Sequence, residues 1–281
     1  MTIIAQRPPL PAGTDSTGRE PLHGFNGGTD DDLRTEQLPV NPFELSEEAL
    51  SRISADDSWA PIESEIPNVD ARLIRRFLTP AEVEVFASEL AAQRFVPVGL
   101  DGAADNYAEG DPVGHLRATA ESRVLAAEFY RRLRTFLPFE VGPDDPTDSD
   151  GRSWKPAAVN PRMRFITYER GGLLVPHYDS PYFAPDGRRT LLTVVVYLSY
   201  EAVGGETRFI ADRQNDLPFA QRDFSDWPRL AKPEEILSTH RPEPGDALLF
   251  WHRTLHDSAP IVEGTKTILR TDVLYEPIDV P

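Results

Sequence analysis

The chain has 281 residues, 40% of them apolar, enough for one large domain or two small ones with a real core. Acidic residues outnumber basic ones by 46 to 29, and the net charge of −17 argues against long-range attraction to nucleic acid or anionic lipid. The absence of cysteine excludes disulfides, thiolate metal sites and cysteine nucleophiles, and no stretch reads as a signal peptide or a membrane span, so the sequence is read as soluble and cytoplasmic.

Residues 1–60 are rich in Pro, Gly, Asp and Thr without a sustained hydrophobic period, and read as an irregular or wrapping N-terminal arm. Residues 61–281 read as one domain, with helical support over 61–155 and a β core over 156–281. A first helix is signalled by Thr79 as N-cap, Pro80 at the first helical position and Glu82, with Val83, Phe86 and Leu90 at helical spacing. A second is expected from about Ala120 to Phe136, with Val124, Leu125, Phe129 and Leu133 on one face and Pro138 ending it. From residue 160 the pattern turns to short β-branched and aromatic runs: RFITYE, LLVPHY, TLLTVVVYLSY, ETRFI, DALLFW, SAPIV and KTILRTDVLYE. These seven runs predict a sandwich or barrel. The polar segment 212–235 interrupts them and reads as a lid or surface excursion.

In VPHYDSP, His177 and Asp179 lie two residues apart, so on an extended segment both side chains point the same way and can reach one ion. A third ligand is then needed. Of the six histidines, His23 lies in the arm and His115 in a predicted loop before the second helix, which leaves His240, His252 and His256. Two histidines and a carboxylate on one face of an ion, with the opposite face open, are the arrangement of non-haem iron(II) oxygenases. Alone, H-x-D is a weak signal, since such a tripeptide recurs by chance. His252 on its own reads as a surface or packing histidine, and His240, followed by Arg241 and Pro242, as a loop residue.

RFITYERGGLLVPHYD, TVVVYLSYEAVGGET and PGDALLFW…H…P…GTK occur in one order and at one spacing. On them, residues 160–276 resemble the iron(II)/2-oxoglutarate dioxygenase superfamily, particularly its prolyl-4-hydroxylase-like branch. The resemblance implies a mainly β, α+β chain: a double-stranded β-helix of the jelly-roll or cupin kind, supported by N-terminal helices. It implies Fe(II), 2-oxoglutarate and O2 as cofactor and co-substrates. By position, His177, Asp179 and His256 become the iron ligands, His256 being preferred because Lys266 follows ten residues later, where that branch places the basic partner of the distal carboxylate of 2-oxoglutarate. Tyr168 falls where the family has a tyrosine on the same carboxylate, and Thr193 where a threonine can assist. A lysine and two hydroxyls make a sensible carboxylate receptor in an apolar barrel, because a buried charge must be neutralised and hydrogen-bonded. Taken singly, Tyr168 reads as a barrel-wall aromatic, Lys266 as a solvent-facing strand residue and Thr193 as an ordinary β-former.

Alternation along RMRFITY puts Arg162, Arg164, Ile166 and Tyr168 on one face, and along KTILRTD it puts Lys266, Ile268, Arg270 and Asp272 together. Arg164, Arg270 and Asp272, with Tyr182, are therefore expected in the substrate region. Two arginines and an aspartate there could bind the carboxylate and ammonium of a free amino acid. Alternatively, Arg270 and Asp272 neutralise each other as a structural pair, or Arg270 rather than Lys266 holds 2-oxoglutarate. The expected function is oxidation of an unactivated C–H bond of a small amino-acid-like molecule, as in secondary metabolism, by hydroxylation, desaturation or cyclisation. The competing readings are a peptidyl-prolyl or other protein hydroxylase and a cupin-like metal-dependent isomerase. Asp179 disfavours halogenation, since related halogenases carry Ala or Gly there. Neither a nucleic-acid nor a membrane partner is expected.

Overall fold

The computed structural model describes residues 42–53, 60–100, 112–142, 152–214, 216–217 and 221–278. In chain order the elements are α1 (Glu47–Arg52), β1 (Ile62–Glu65), β2 (Ala71–Arg75), α2 (Pro80–Leu90), β3 (Val96–Val98), β4 (His115–Glu121) and α3 (Arg123–Leu133). There follow β5 (Trp154–Val159), β6 (Arg162–Tyr168), β7 (Leu174–His177), β8 (Arg189–Gly204), β9 (Thr207–Ile210), β10 (Ile236–His240), β11 (Ala247–Trp251), β12 (His256–Ser258) and β13 (Ile261–Pro277). No helix among the described residues is long and apolar enough to cross a membrane.

The helices start where their caps dictate. At α2 the Thr79 hydroxyl accepts from the Glu82 amide at 3.1 Å while the Glu82 carboxylate accepts from the Thr79 amide at 2.8 Å, with Pro80 behind the cap. At α3 the Ser122 hydroxyl accepts from the Leu125 amide at 3.2 Å. This corrects the expected start at Ala120, because residues 115–121 are the strand β4. The apolar face is also narrower than expected: Leu125, Phe129 and Leu133 are buried, whereas Val124 is 61% exposed. Arg132 on that face reaches Glu82 at 2.6 Å, tying α3 to α2 through a buried ion pair. Part of the expected irregular arm is ordered: α1 is capped by Ser46, and Leu45, Ala49 and Ile53 enter the core. Residues 1–41 and 54–59, including His23, lie outside the described residues.

Two antiparallel sheets form the double-stranded β-helix. The larger runs β1-β2-β11-β8-β13-β6-β4-β3, with β5 also pairing with β13, and the smaller runs β10-β9-β12-β7. Every pairing between these strands is antiparallel, so side chains alternate between two faces except where the register shifts, as at Thr267/Ile268 on β13. Odd-parity residues such as Met163 and Phe165 on β6 and Leu269 on β13 join the helices in one core. Ile166, Tyr168, Val195, Tyr197, Leu248, Phe250 and Ile268 face the smaller sheet, where Phe209 meets them. That second core is the barrel interior.

The expected runs SAPIV and KTILRTDVLYE differ from the fold in one respect: Ile261 onward is a single strand through Pro277, and Ser258 ends β12. The described parts of 212–235 are turns and extended chain ending in a 3-10 turn at Pro233–Glu235. This segment packs on the H-x-D stretch, since the Trp227 amide donates to the Pro176 carbonyl at 2.8 Å and the Phe224 ring lies 5.1 Å from Tyr178.

Candidate active site

The pairing of β7 with β12 puts His177 directly opposite His256, their ring centroids 4.2 Å apart. Asp179 follows β7, its amide bonded to the His252 carbonyl at 3.0 Å. One donor atom from each of His177, Asp179 and His256 lies within 4.8 Å of the others. The Asp179 carboxylate oxygens are each 3.8 Å from one imidazole Nε2. Both rings are oriented from behind: Nδ1 of His177 donates to the Val175 carbonyl and Nδ1 of His256 to the Thr254 carbonyl, each at 2.8 Å. That fixes the tautomer and turns the Nε2 lone pairs to the common centre, as a metal ligand requires.

Electrostatics favour the same state. Burial, with His256 beside it, pushes His177 down to about 4, and burial lowers His256. Burial opposes ionisation of Asp179, but Arg270 and the imidazoles hold its carboxyl far below the usual range. Two neutral imidazoles and a carboxylate are the protonation state that binds a divalent cation.

Lys266 stands across β13 from Tyr168 on β6, its ammonium 4.3 Å from that ring. It is 1% exposed and donates to the Gly205 carbonyl at 2.7 Å and to Ser258 Oγ at 2.6 Å. Among the described residues it has no ion-paired carboxylate: Glu206 and Asp257 act on it only through space, and Asp257 is held by Arg208 at 2.8 and 2.6 Å. Burial therefore pushes Lys266 down to about 7. A buried ammonium with only neutral partners, beside a tyrosine that also reaches Ser258, is a receptor that a carboxylate would complete.

Thr193 is not part of that receptor. It pairs with Asp272 on β13, six residues from Lys266, and its hydroxyl donates to Asp179 Oδ2 at 2.5 Å. Its position along the strand, rather than its residue type, decides the partner. The same hydroxyl lies 2.8 Å from His252 Nδ1, so His252 is buried beside the triad instead of at the surface. His240 sits on β10 with its ring 5.4 Å from Tyr197, and is not a loop residue.

Arg164 and Arg270 are opposite each other across β6 and β13. Arg270 reaches Asp179 at 2.9 Å and Asp272 at 3.2 Å, and Arg164 reaches the other Asp272 oxygen at 3.5 Å. The three predicted substrate residues thus form one chain of charges ending on the metal-site carboxylate. Tyr182 stands apart, 39% exposed, its amide held by Thr190 Oγ1 at 2.7 Å.

Two residues at the site escaped the sequence reading. His115 and Arg117 share the interior face of β4, the His115 ring 5.3 Å from Tyr168 and its Nε2 3.3 Å from Arg117. Alternation along HLRATAE would have exposed them, had the segment been read as a strand.

Residues 163–271 match the family model described as the 2OG-Fe(II) oxygenase superfamily. Among curated proteins, the chain is 33% identical over 129 residues to probable prolyl 4-hydroxylase 3 of Arabidopsis thaliana, covering 40% of this chain and 41% of that one. It is 31% identical over 118 residues to prolyl 4-hydroxylase 5 of the same plant, covering 37% and 38%. The chain thus spans about two fifths of the length of these relatives. Among solved structures, the viral collagen prolyl hydroxylase of Paramecium Bursaria Chlorella virus-1 aligns at 16% identity and a TM-score of 0.43, over 74% of this chain and 97% of that one.

Proposed function

We propose that the chain is an iron(II)- and 2-oxoglutarate-dependent hydroxylase whose substrate is a prolyl residue in a peptide or protein, a reading supported by the match of residues 163–271 to the 2OG-Fe(II) oxygenase superfamily. The observation that carries the catalytic part is the pairing of a His177–Asp179–His256 donor set with a buried, carboxylate-free Lys266. His177, Asp179 and His256 would hold the iron, and Lys266 and Tyr168 the distal carboxylate of 2-oxoglutarate. Iron with 2-oxoglutarate and O2, once bound there, would supply the power to oxidise an unactivated C–H bond. The protein orients the reactants. Ile166, Val195, Tyr197, Phe209, Leu248, Phe250 and Ile268 wall the interior and keep water from the reacting centre. Thr193 and Arg270 grip the two oxygens of Asp179 and fix how the carboxylate is presented.

The prolyl substrate is supported by the relatives, which are named prolyl 4-hydroxylases. A second reading, a free amino acid or a metabolite derived from one, would need the charged chain Arg164–Asp272–Arg270 to open and take its carboxylate. The test is to incubate the chain with Fe(II) and 2-oxoglutarate and to measure succinate release on adding either proline-rich peptides or free amino acids, with mass spectrometry for a gain of one oxygen. Stimulation by amino acids alone selects the second reading. Substrate-independent absence of 2-oxoglutarate turnover and of binding would remove both.

A further inference from the structure

The proposed site leaves one buried polar atom unused. His115 opens β4 and is 1% exposed. Its Nε2 faces Arg117 at 3.3 Å. A guanidinium can only donate, so Nε2 must accept and the ring proton must sit on Nδ1. Burial, with Arg117, His177 and Lys266 nearby, keeps the ring neutral. That leaves an Nδ1–H donor with no acceptor among the described residues, inside the barrel. A buried donor without a partner is costly, and such groups mark where a ligand or water completes the bond. The place is informative. The ring packs 5.3 Å from Tyr168, whose own ring carries the Lys266 ammonium at 4.3 Å. His115 therefore stands beside the tyrosine and lysine that would hold the distal carboxylate.

We infer that His115 is a co-substrate positioning residue: its Nδ1–H donates to a carboxylate oxygen of the bound 2-oxo acid, and Arg117 sets the tautomer that allows it. The inference rests on the hydroxylase reading above. It concerns how the 2-oxo acid is held, and leaves the metal ligands untouched. Thr119, next on the same face, stands opposite Arg164 and continues β4 toward the substrate side, so β4 contributes to the interior along its length.

The test uses the full chain loaded with Mn(II) in place of Fe(II), titrated with 2-oxoglutarate by calorimetry. His115→Leu is expected to weaken 2-oxoglutarate binding by about tenfold. His115→Asn, whose amide N–H lies close to the imidazole Nδ1–H, should stay near the wild type. Mn(II) affinity should be unchanged in both. In the wild type loaded with Zn(II), nitrogen-15 NMR of the histidines should report the Nδ1–H form and a downfield shift of that proton when 2-oxoglutarate is added. That measurement needs no variant and stands even where His115→Leu does not fold. An unchanged affinity in His115→Leu, an equal loss in His115→Asn, or an Nε2–H tautomer overturns the inference. Failure of the wild type to bind 2-oxoglutarate at all overturns the hydroxylase reading together with it.

Discussion

Replacing Lys266 by methionine should stabilise the ligand-free protein while abolishing its hold on 2-oxoglutarate. Unfolded, the lysine has its ordinary value of 10.5, and in the fold burial brings it to about 7. At about 1.4 kcal/mol per pKa unit, keeping this group in the fold costs roughly 4 kcal/mol at pH 7. Methionine removes that cost but strands the Gly205 carbonyl and leaves Ser258 with only its Tyr168 partner, where both now accept from Nζ, a loss of roughly 1–3 kcal/mol. Lys266→Met should therefore be more stable by about 2 kcal/mol at pH 7. The sign of the pH dependence follows from proton counting. Between the folded and unfolded values the unfolded chain binds more protons, so wild-type stability attributable to Lys266 rises with pH. By pH 9 the cost falls to about 2 kcal/mol, and the advantage of the variant should shrink by roughly that amount. Urea unfolding of both proteins at pH 7 and pH 9, compared as a difference so that other titrating groups cancel, measures it. A variant less stable than wild type at pH 7, or a gap that does not move with pH, would refute the reasoning. Adding Mn(II) and 2-oxoglutarate should stabilise only the wild type.

Metal affinity should be nearly flat from pH 8 to about pH 6 and fall as pH approaches about 4, because His177 is already neutral well below its ordinary value and protons compete with metal only there; calorimetric Mn(II) titrations check this. Thr193→Val removes the donor to Asp179 Oδ2 and should weaken Mn(II) binding by about tenfold while leaving 2-oxoglutarate affinity at saturating metal unchanged; the reverse pattern would return Thr193 to the co-substrate site. Arg132→Met strands the buried Glu82 carboxylate and should cost about 3–5 kcal/mol in urea unfolding without altering metal affinity.

Much of this site can be read from period-two alternation, because an antiparallel sheet keeps its faces separate over long runs. Arg164, Ile166 and Tyr168 do share a face with Lys266, Ile268 and Arg270, and the register sets them in cross-strand pairs. The residues that escaped are those whose role depends on a neighbour distant in sequence. Thr193 looks the same on its strand whichever β13 residue lies opposite, and pairing with Asp272 is what sends its hydroxyl to Asp179. His115 becomes an interior residue only because β4 docks beside β6. Val124 failed for a local reason: it lies one residue, about 100° around the helix, from the buried Leu125, and its side chain points to solvent.

The two ends of the site differ in how their charges are settled, and this bears on the substrate. Arg164, Arg270, Asp179 and Asp272 are joined in one chain of contacts, two cations against two anions, so the substrate side is neutral as it stands. The Lys266 end is the opposite case, a buried ammonium held by a carbonyl and a hydroxyl. A divalent metal and a dianionic 2-oxo acid add equal and opposite charge, so with both bound the site keeps the one positive charge of Lys266, at the end away from the arginine chain. Nothing in the arginine chain calls for a further carboxylate from the substrate. A free amino acid would have to pull Arg270 away from Asp179 or Arg164 from Asp272 and so break part of the chain, whereas a prolyl residue within a peptide brings no charge and can enter with the chain intact. The arginine chain that first suggested an amino-acid substrate is thus better understood as the support of the metal-site carboxylate, and it favours a neutral group at the reacting carbon.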